Sequence, residues 1–209
     1  NALIDFDDEF EILQHLIIGS EGTLAFIEEI TYYTVEDLKD KASSLIYFKD
    51  MKEACSAVTK LKLASDSKEI VVDAVELMDR AGLRSIEQDP AMPKFIKDFD
   101  DEVTALLIET RAINDKQLDI QINQIEELLK EFTVVRDIYF TKDVEEYTLY
   151  WKIRKGLFPA VGAVRVTGTT VIIEDVAYPI ECLAEATLEL QGLFKKYGYS
   201  EALIFGYVL

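Results

Sequence analysis

An arginine set among aromatic side chains is the part of this chain best suited to chemistry. Tyr147, Tyr150, Trp151, Arg154 and Phe158 fall at helical spacing on one face, and Asp143 with Glu146 three residues later marks the helix start. A guanidinium in such a stripe either packs over aromatic rings or points into a pocket where it grips a carboxylate, and the spacing admits both. Beyond it, Pro159 to Arg165 and Thr167 to Thr170 are rich in glycine and small residues, which predicts a loop able to pass close to a ligand. Arg165 is then a second candidate anion anchor, or a solvated loop charge. The run Val171-Ile172-Ile173 predicts a strand ending in Glu174-Asp175, a carboxylate pair that is either presented at a site or left in solvent.

A second candidate lies near the start. Gly19-Ser20-Glu21-Gly22-Thr23-Leu24 stands between two apolar runs, Leu16-Ile17-Ile18 and Ala25-Phe26-Ile27, which read as buried strands. Glycine has no Cβ, so the N–H groups of such a turn can approach a ligand closely. Other chemistry is weakly represented. His15 is the single histidine, which rules out a multi-histidine metal site within the chain and limits any Ser-His-Asp arrangement to that one residue. It reads as structural. No GxSxG, Walker loop or GxGxxG is present.

The elements that must position these residues follow from periodicity and end signals. Met51, Cys55, Val58 and Leu61 form a stripe after the N-cap Asp50, with Glu53 three residues on. Leu118, Ile122, Ile125, Leu129 and Phe132 form another within 115–132, and 180–197 follows Pro179 and stops at Gly198. Short β-branched runs at 44–48, 69–75, 103–109, 134–140, 170–174 and 202–207 predict strands, with an irregular stretch around Pro90 and Pro93. Strands alternating with helices predict an α+β fold: ferredoxin-like, partly duplicated βαβ units, with helices packed on one face of a mainly antiparallel sheet.

Forty acidic against twenty-two basic residues leave a net charge of −18, which disfavours nonspecific binding to nucleic acid or anionic lipid. The acidic run Asp5, Asp7, Asp8 and Glu9 reads as a solvated face. Cys55 and Cys182 lie far apart, with no CxxC pair, as suits a reducing compartment. No leader or long apolar span is visible, so the expected location is cytoplasmic, with the parent protein at most peripheral to a membrane.

Two blocks carry a resemblance to a known family. Gly19 to Leu24 followed by Ala25-Phe26-Ile27 resembles the signature closing the flavin domain of FAD-linked D-2-hydroxyacid dehydrogenases, the family of D-lactate, glycolate and D-2-hydroxyglutarate dehydrogenases. Trp151 to Gly156, Phe158 to Gly162 and Val171 to Pro179 are similar to its C-terminal substrate domain, above all in long members with a fused iron–sulfur region. The resemblance implies oxidation of a small 2-hydroxy acid by hydride transfer to FAD, with an electron acceptor left open. It implies that residues 1–35 are the edge of an FAD-binding domain and 36–209 an incomplete substrate domain. The chain is then expected to be a fragment, inactive and colourless alone, whose partner is the upstream FAD domain of the same polypeptide. Arg154 matches the family's carboxylate-binding arginine. Phe158, Arg165 and Asp175 join it as candidate substrate contacts, and Gly19, Ser20, Glu21, Gly22 and Thr23 are candidate flavin contacts. Ile173 stands where some relatives carry a lysine. Tyr207 stands where many carry the first metal-binding histidine, so the divalent metal and iron–sulfur cluster implied for the parent have no ligands assigned here. The competing reading is a non-catalytic ferredoxin-like module that binds a small anion or a partner protein.

Overall fold

The computed structural model describes residues 2–88, 92–172, 175–199 and 202–208. The chain divides into two compact units, Asn1–Asp37 and Leu38–Leu209.

The first unit holds two helices, α1 (Ala2–Asp5) and α2 (Glu9–Gly19). Asp8 caps α2 by accepting from the N–H groups of Phe10 and Glu11, and Glu9 and Glu11 sit favourably in its first turn. Leu16, Ile17 and Ile18 therefore lie in a helix, not in the expected strand: the cap and acidic start outweigh the β propensity of two isoleucines. Residues 25–39 have no regular structure. His15 stacks on Phe6 at 3.7 Å and its Nδ1 lies 2.7 Å from the Glu11 carbonyl oxygen, a structural role.

The second unit is built on a four-stranded sheet of β1 (Asp40–Phe48), β2 (Ala74–Met78), β3 (Thr104–Ala112) and β4 (Phe205–Tyr207), in the order β1-β3-β2-β4. Every pairing is antiparallel, so the fold is α+β with an antiparallel sheet. β1 and β2 run parallel to each other on either side of β3. With α3 (Met51–Asp66) between them they form a split βαβ unit, the ferredoxin-like part of the fold. β4 pairs with β2, Leu77 opposite Gly206, and closes the other end of the sheet.

The sheet carries more cover than the sequence predicts. On one face Ala42, Ile46, Phe48, Val75, Leu77, Leu106 and Ile108 pack with α3 and α5 (Asp115–Leu129), and α7 (Leu183–Tyr197) adds Leu183 and Ala184 to this core. On the other, Tyr47, Met78, Ala105 and Leu107 pack with Leu83 and Ile86 of α4 (Arg80–Ile86) and Ile153 and Leu157 of α6 (Val144–Val164). A sheet whose strands are apolar on both faces must be covered on both, and β3 is buried at every position except Arg111.

Other segments differ from the sequence expectation, among them the strand expected at 69–75, which begins only at Ala74. Residues 134–140 form no strand of the sheet but run beside β1, bridged at Phe48–Val134 and, just past their end, at Ser43–Thr141. Residues 170–172 are irregular, while Ile173 and Glu174 lie outside the described residues, as does Pro90. α6 continues through Pro159 to Val164, where the sequence predicts a loop. Proline removes one backbone donor and breaks most helices, but here the turns on either side are helical and the chain crosses it. The candidate loop therefore begins only at Arg165.

Candidate functional site

Arg154 stands at the middle of α6, on the side that faces the sheet. Asp143 sets the register of this helix by accepting from the N–H groups of Glu145 and Glu146. Tyr147, Ile153 and Leu157 are buried beneath it. A second lock is polar. Glu109 on β3 is only 1% exposed, and its carboxylate accepts from Trp151 Nε1 at 2.6 Å, Ser43 Oγ at 3.0 Å and Arg111 Nε at 2.8 Å. A buried carboxylate is tolerated where its lone pairs are filled in this way, and the Trp151 bond fixes α6 against β3 one turn before Arg154.

The Arg154 side chain then reaches β2. Its Nε donates to Glu76 Oε2 at 2.9 Å, and Nη2 lies 2.8 Å from the same oxygen. The guanidinium carbon sits 4.8 Å from the centre of the Phe205 ring. Both charges are largely withdrawn from solvent, at 16% and 13% exposure, which strengthens their attraction beyond that of a surface pair. Among the described residues Glu76 is the only polar partner of Arg154, and Nη1 is not one of the buried polar atoms left without one. One edge of the guanidinium is engaged and the other is open. Of the two sequence readings of Arg154, aromatic packing is met by Phe205, and the guanidinium edge away from Glu76 has no partner among the described residues.

The other candidate residues are not gathered here. Phe158 lies one turn beyond Arg154 but is 44% exposed, because Ile153 and Leu157 take the core side of the helix. Arg165 is exposed and caps the C-terminus of α6, donating to the carbonyl oxygens of Thr169, at 2.9 Å, and Gly162. Eleven residues of helix place it about 16 Å further along the axis than Arg154, too far to share one small anion. Asp175 is exposed in irregular chain.

The turn at Gly19–Thr23 closes α2. The Ser20 N–H bonds back to Leu16 and Ile17, Glu21 N to Ile18, and Thr23 N to Ser20, while the Ser20 hydroxyl donates to Ile17 and receives the Leu24 N–H. Glu21 and Gly22 have φ of 49° and 81°, the left-handed conformations such a helix end requires. Most of the donors that would cradle a diphosphate already serve the helix, so this turn as it stands does not fit one. Among the described residues there is no group of three or more His, Cys, Asp or Glu placed to hold a metal, and no helix is long and apolar enough to cross a membrane.

Glu76, Phe205 and Glu109 were not singled out from the sequence. A signal existed for the two acids, since each interrupts an apolar strand, in Ala-Val-Glu-Leu-Met and Leu-Leu-Ile-Glu-Thr. A charge at such a position needs a partner from the covering helix.

Comparison with known proteins adds three likenesses. Residues 38–209 match the family described as FAD linked oxidases, C-terminal domain. The chain is 30% identical over 176 residues to the mitochondrial D-lactate dehydrogenase [cytochrome] of Arabidopsis thaliana, a match covering 83% of this chain and 28% of that protein. The structure superposes on alkyldihydroxyacetonephosphate synthase with a TM-score of 0.50 and 19% identity, over 72% of this chain and 29% of the synthase, a likeness of fold alone.

Proposed function

The chain belongs to the family of FAD linked oxidases, C-terminal domain, and from that premise we propose that residues 36–209 are the substrate domain of a flavin-dependent oxidoreductase acting on a D-2-hydroxy acid. Residues 1–35 are, on this reading, the edge of the FAD-binding domain that precedes it. The observation that carries the reading is the open edge of Arg154, a half-buried cation fixed on a rigid helix with free donors on one side. A guanidinium so held is complementary to the carboxylate of a small hydroxy acid. The relative's name, D-lactate dehydrogenase, supports a substrate of that class.

The FAD supplies the redox chemistry when it is bound, and the turn at 19–23 gives no ground for placing it within this chain. What the chain contributes is binding and orientation. Arg154 takes the substrate carboxylate, and α6, locked by Glu109 and Trp151, keeps that anchor at a fixed distance from the sheet. Holding a reactant in one geometry is itself a large part of rate acceleration.

Arg154→Met in the flavoprotein that carries this chain tests the reading. The KM for D-lactate should rise about tenfold to a hundredfold, the worth of a charge-assisted bidentate contact, with flavin content unchanged. An unchanged KM would return Arg154 to a packing role and leave the non-catalytic module as the better account.

A further inference from the structure

We propose that Glu76 is a positioning residue for anion binding, holding Arg154 by one edge of its guanidinium so that the opposite edge is presented to the ligand. This rests on the reading of Arg154 as the carboxylate anchor and goes beyond it by assigning a role to a second side chain.

The geometry is specific. A guanidinium carries five N–H groups in one plane; here Nε donates to Glu76 Oε2 at 2.9 Å, and Nη2 forms an ion pair with the same oxygen at 2.8 Å. Phe205 covers one face at 4.8 Å from its ring centre. Rotation about the last bonds of the arginine would break the first contact, and tilting would break the second. What remains is the edge formed by Nη1 and the outer hydrogen of Nη2, two parallel donors that match a carboxylate fork.

Glu76 is a firm hinge post. It lies on β2, opposite Leu107 of β3 and Tyr207 of β4, so its backbone is paired on both sides. The torsions of Arg154 are thereby ordered when the protein folds, not when the ligand binds, and the ligand keeps the affinity that ordering would otherwise consume. The pair is also neutral overall, so the ligand meets a directed dipole instead of a bare cation.

The test uses the full flavoprotein with D-lactate as the probe and follows KM, kcat and flavin content together. Glu76→Met keeps the length of the side chain but removes the acceptor. KM should rise about tenfold while kcat stays within about threefold, the signature of lost binding that is equal in ground and transition states. Glu76→Gln retains an oxygen able to accept the Nε N–H at the same reach, and its KM should stay within about threefold of the parent. Should Glu76→Met fail to load flavin, Glu76→Asp draws the acceptor back by one methylene with the charge kept, and a KM raised at least about threefold supports the proposal. Parental KM in both Met and Asp variants, or a Gln variant as impaired as Met, overturns it. An Arg154→Met variant with parental KM instead removes the anchor on which the proposal stands, and so separates the two failures.

Discussion

Single residues here do most when they are buried and polar. Glu109 gathers Ser43, Arg111 and Trp151 on one carboxylate, so Glu109→Ala takes the acceptor from the Trp151 N–H and the Ser43 hydroxyl and breaks a buried charged network. The expected loss is about 3–5 kcal/mol, measured as a lower urea midpoint at constant m. Trp151 is the only tryptophan, so its emission should shift to the red in the same variant as its contact with β3 loosens. Asp79 behaves differently. Burial pushes its carboxyl up to about 6, although N–H bonds from Gly82 and Ile204 and the nearby Arg84 pull the other way. The folded state therefore binds the proton more tightly than the unfolded chain, and the stability this contributes is present below about pH 4 and lost as pH rises through 6. Asp79→Asn does not titrate. Relative to the parent it should gain about 3 kcal/mol between pH 4 and 7, and a constant gap across that range would contradict the assignment. Arg154 was legible at this scale because helical spacing is local. Glu76 was not, because its partner lies 78 residues away and nothing in a linear pattern joins them.

At the level of elements, helices were more legible than strands, and the caps explain why. Asp50, Asp143 and Gly198 each terminate a helix through their own side chain or backbone angle, a signal contained in a few residues. Gly198 has φ of 77° and open space within 4 Å of the point where an alanine methyl would stand, so Gly198→Ala isolates backbone strain. A cost of about 1–2 kcal/mol in thermal unfolding is expected, against little change for Gly206→Ala in β4, which also has open space but lacks the positive φ. Strand identity depends instead on neighbours. The segment 134–140 has the β-branched composition of a strand, yet β1 meets it only at the isolated bridge to Val134 and, just beyond, at Thr141. The end of α6 escapes a sequence reading for a related reason: Pro159 speaks for a break locally, while the surrounding turns keep the helix to Val164.

For the whole molecule, the division at Asp37 and Leu38 separates two kinds of surface. Both hydrophobic cores are drawn entirely from residues beyond 38, and neither helix of the first unit buries a residue. Phe10, Ile18, Phe26 and Tyr33 are 80%, 62%, 92% and 104% exposed, a density of apolar surface that a stable domain does not leave in water. The same unit carries ten carboxylates and neither lysine nor arginine, more than half of the net −18. If residues 1–35 are the edge of a flavin domain, this apolar surface is covered in the parent by that domain. Residues 38–209 expressed alone should then unfold cooperatively with a Tm within about 2 °C of the full chain, because that unit holds both hydrophobic cores within itself. Binding of a dye that reports exposed apolar surface should fall at the same time. A broad, non-cooperative transition in the shortened chain would show instead that the first unit supports the second, and would move the functional boundary toward the start of the chain.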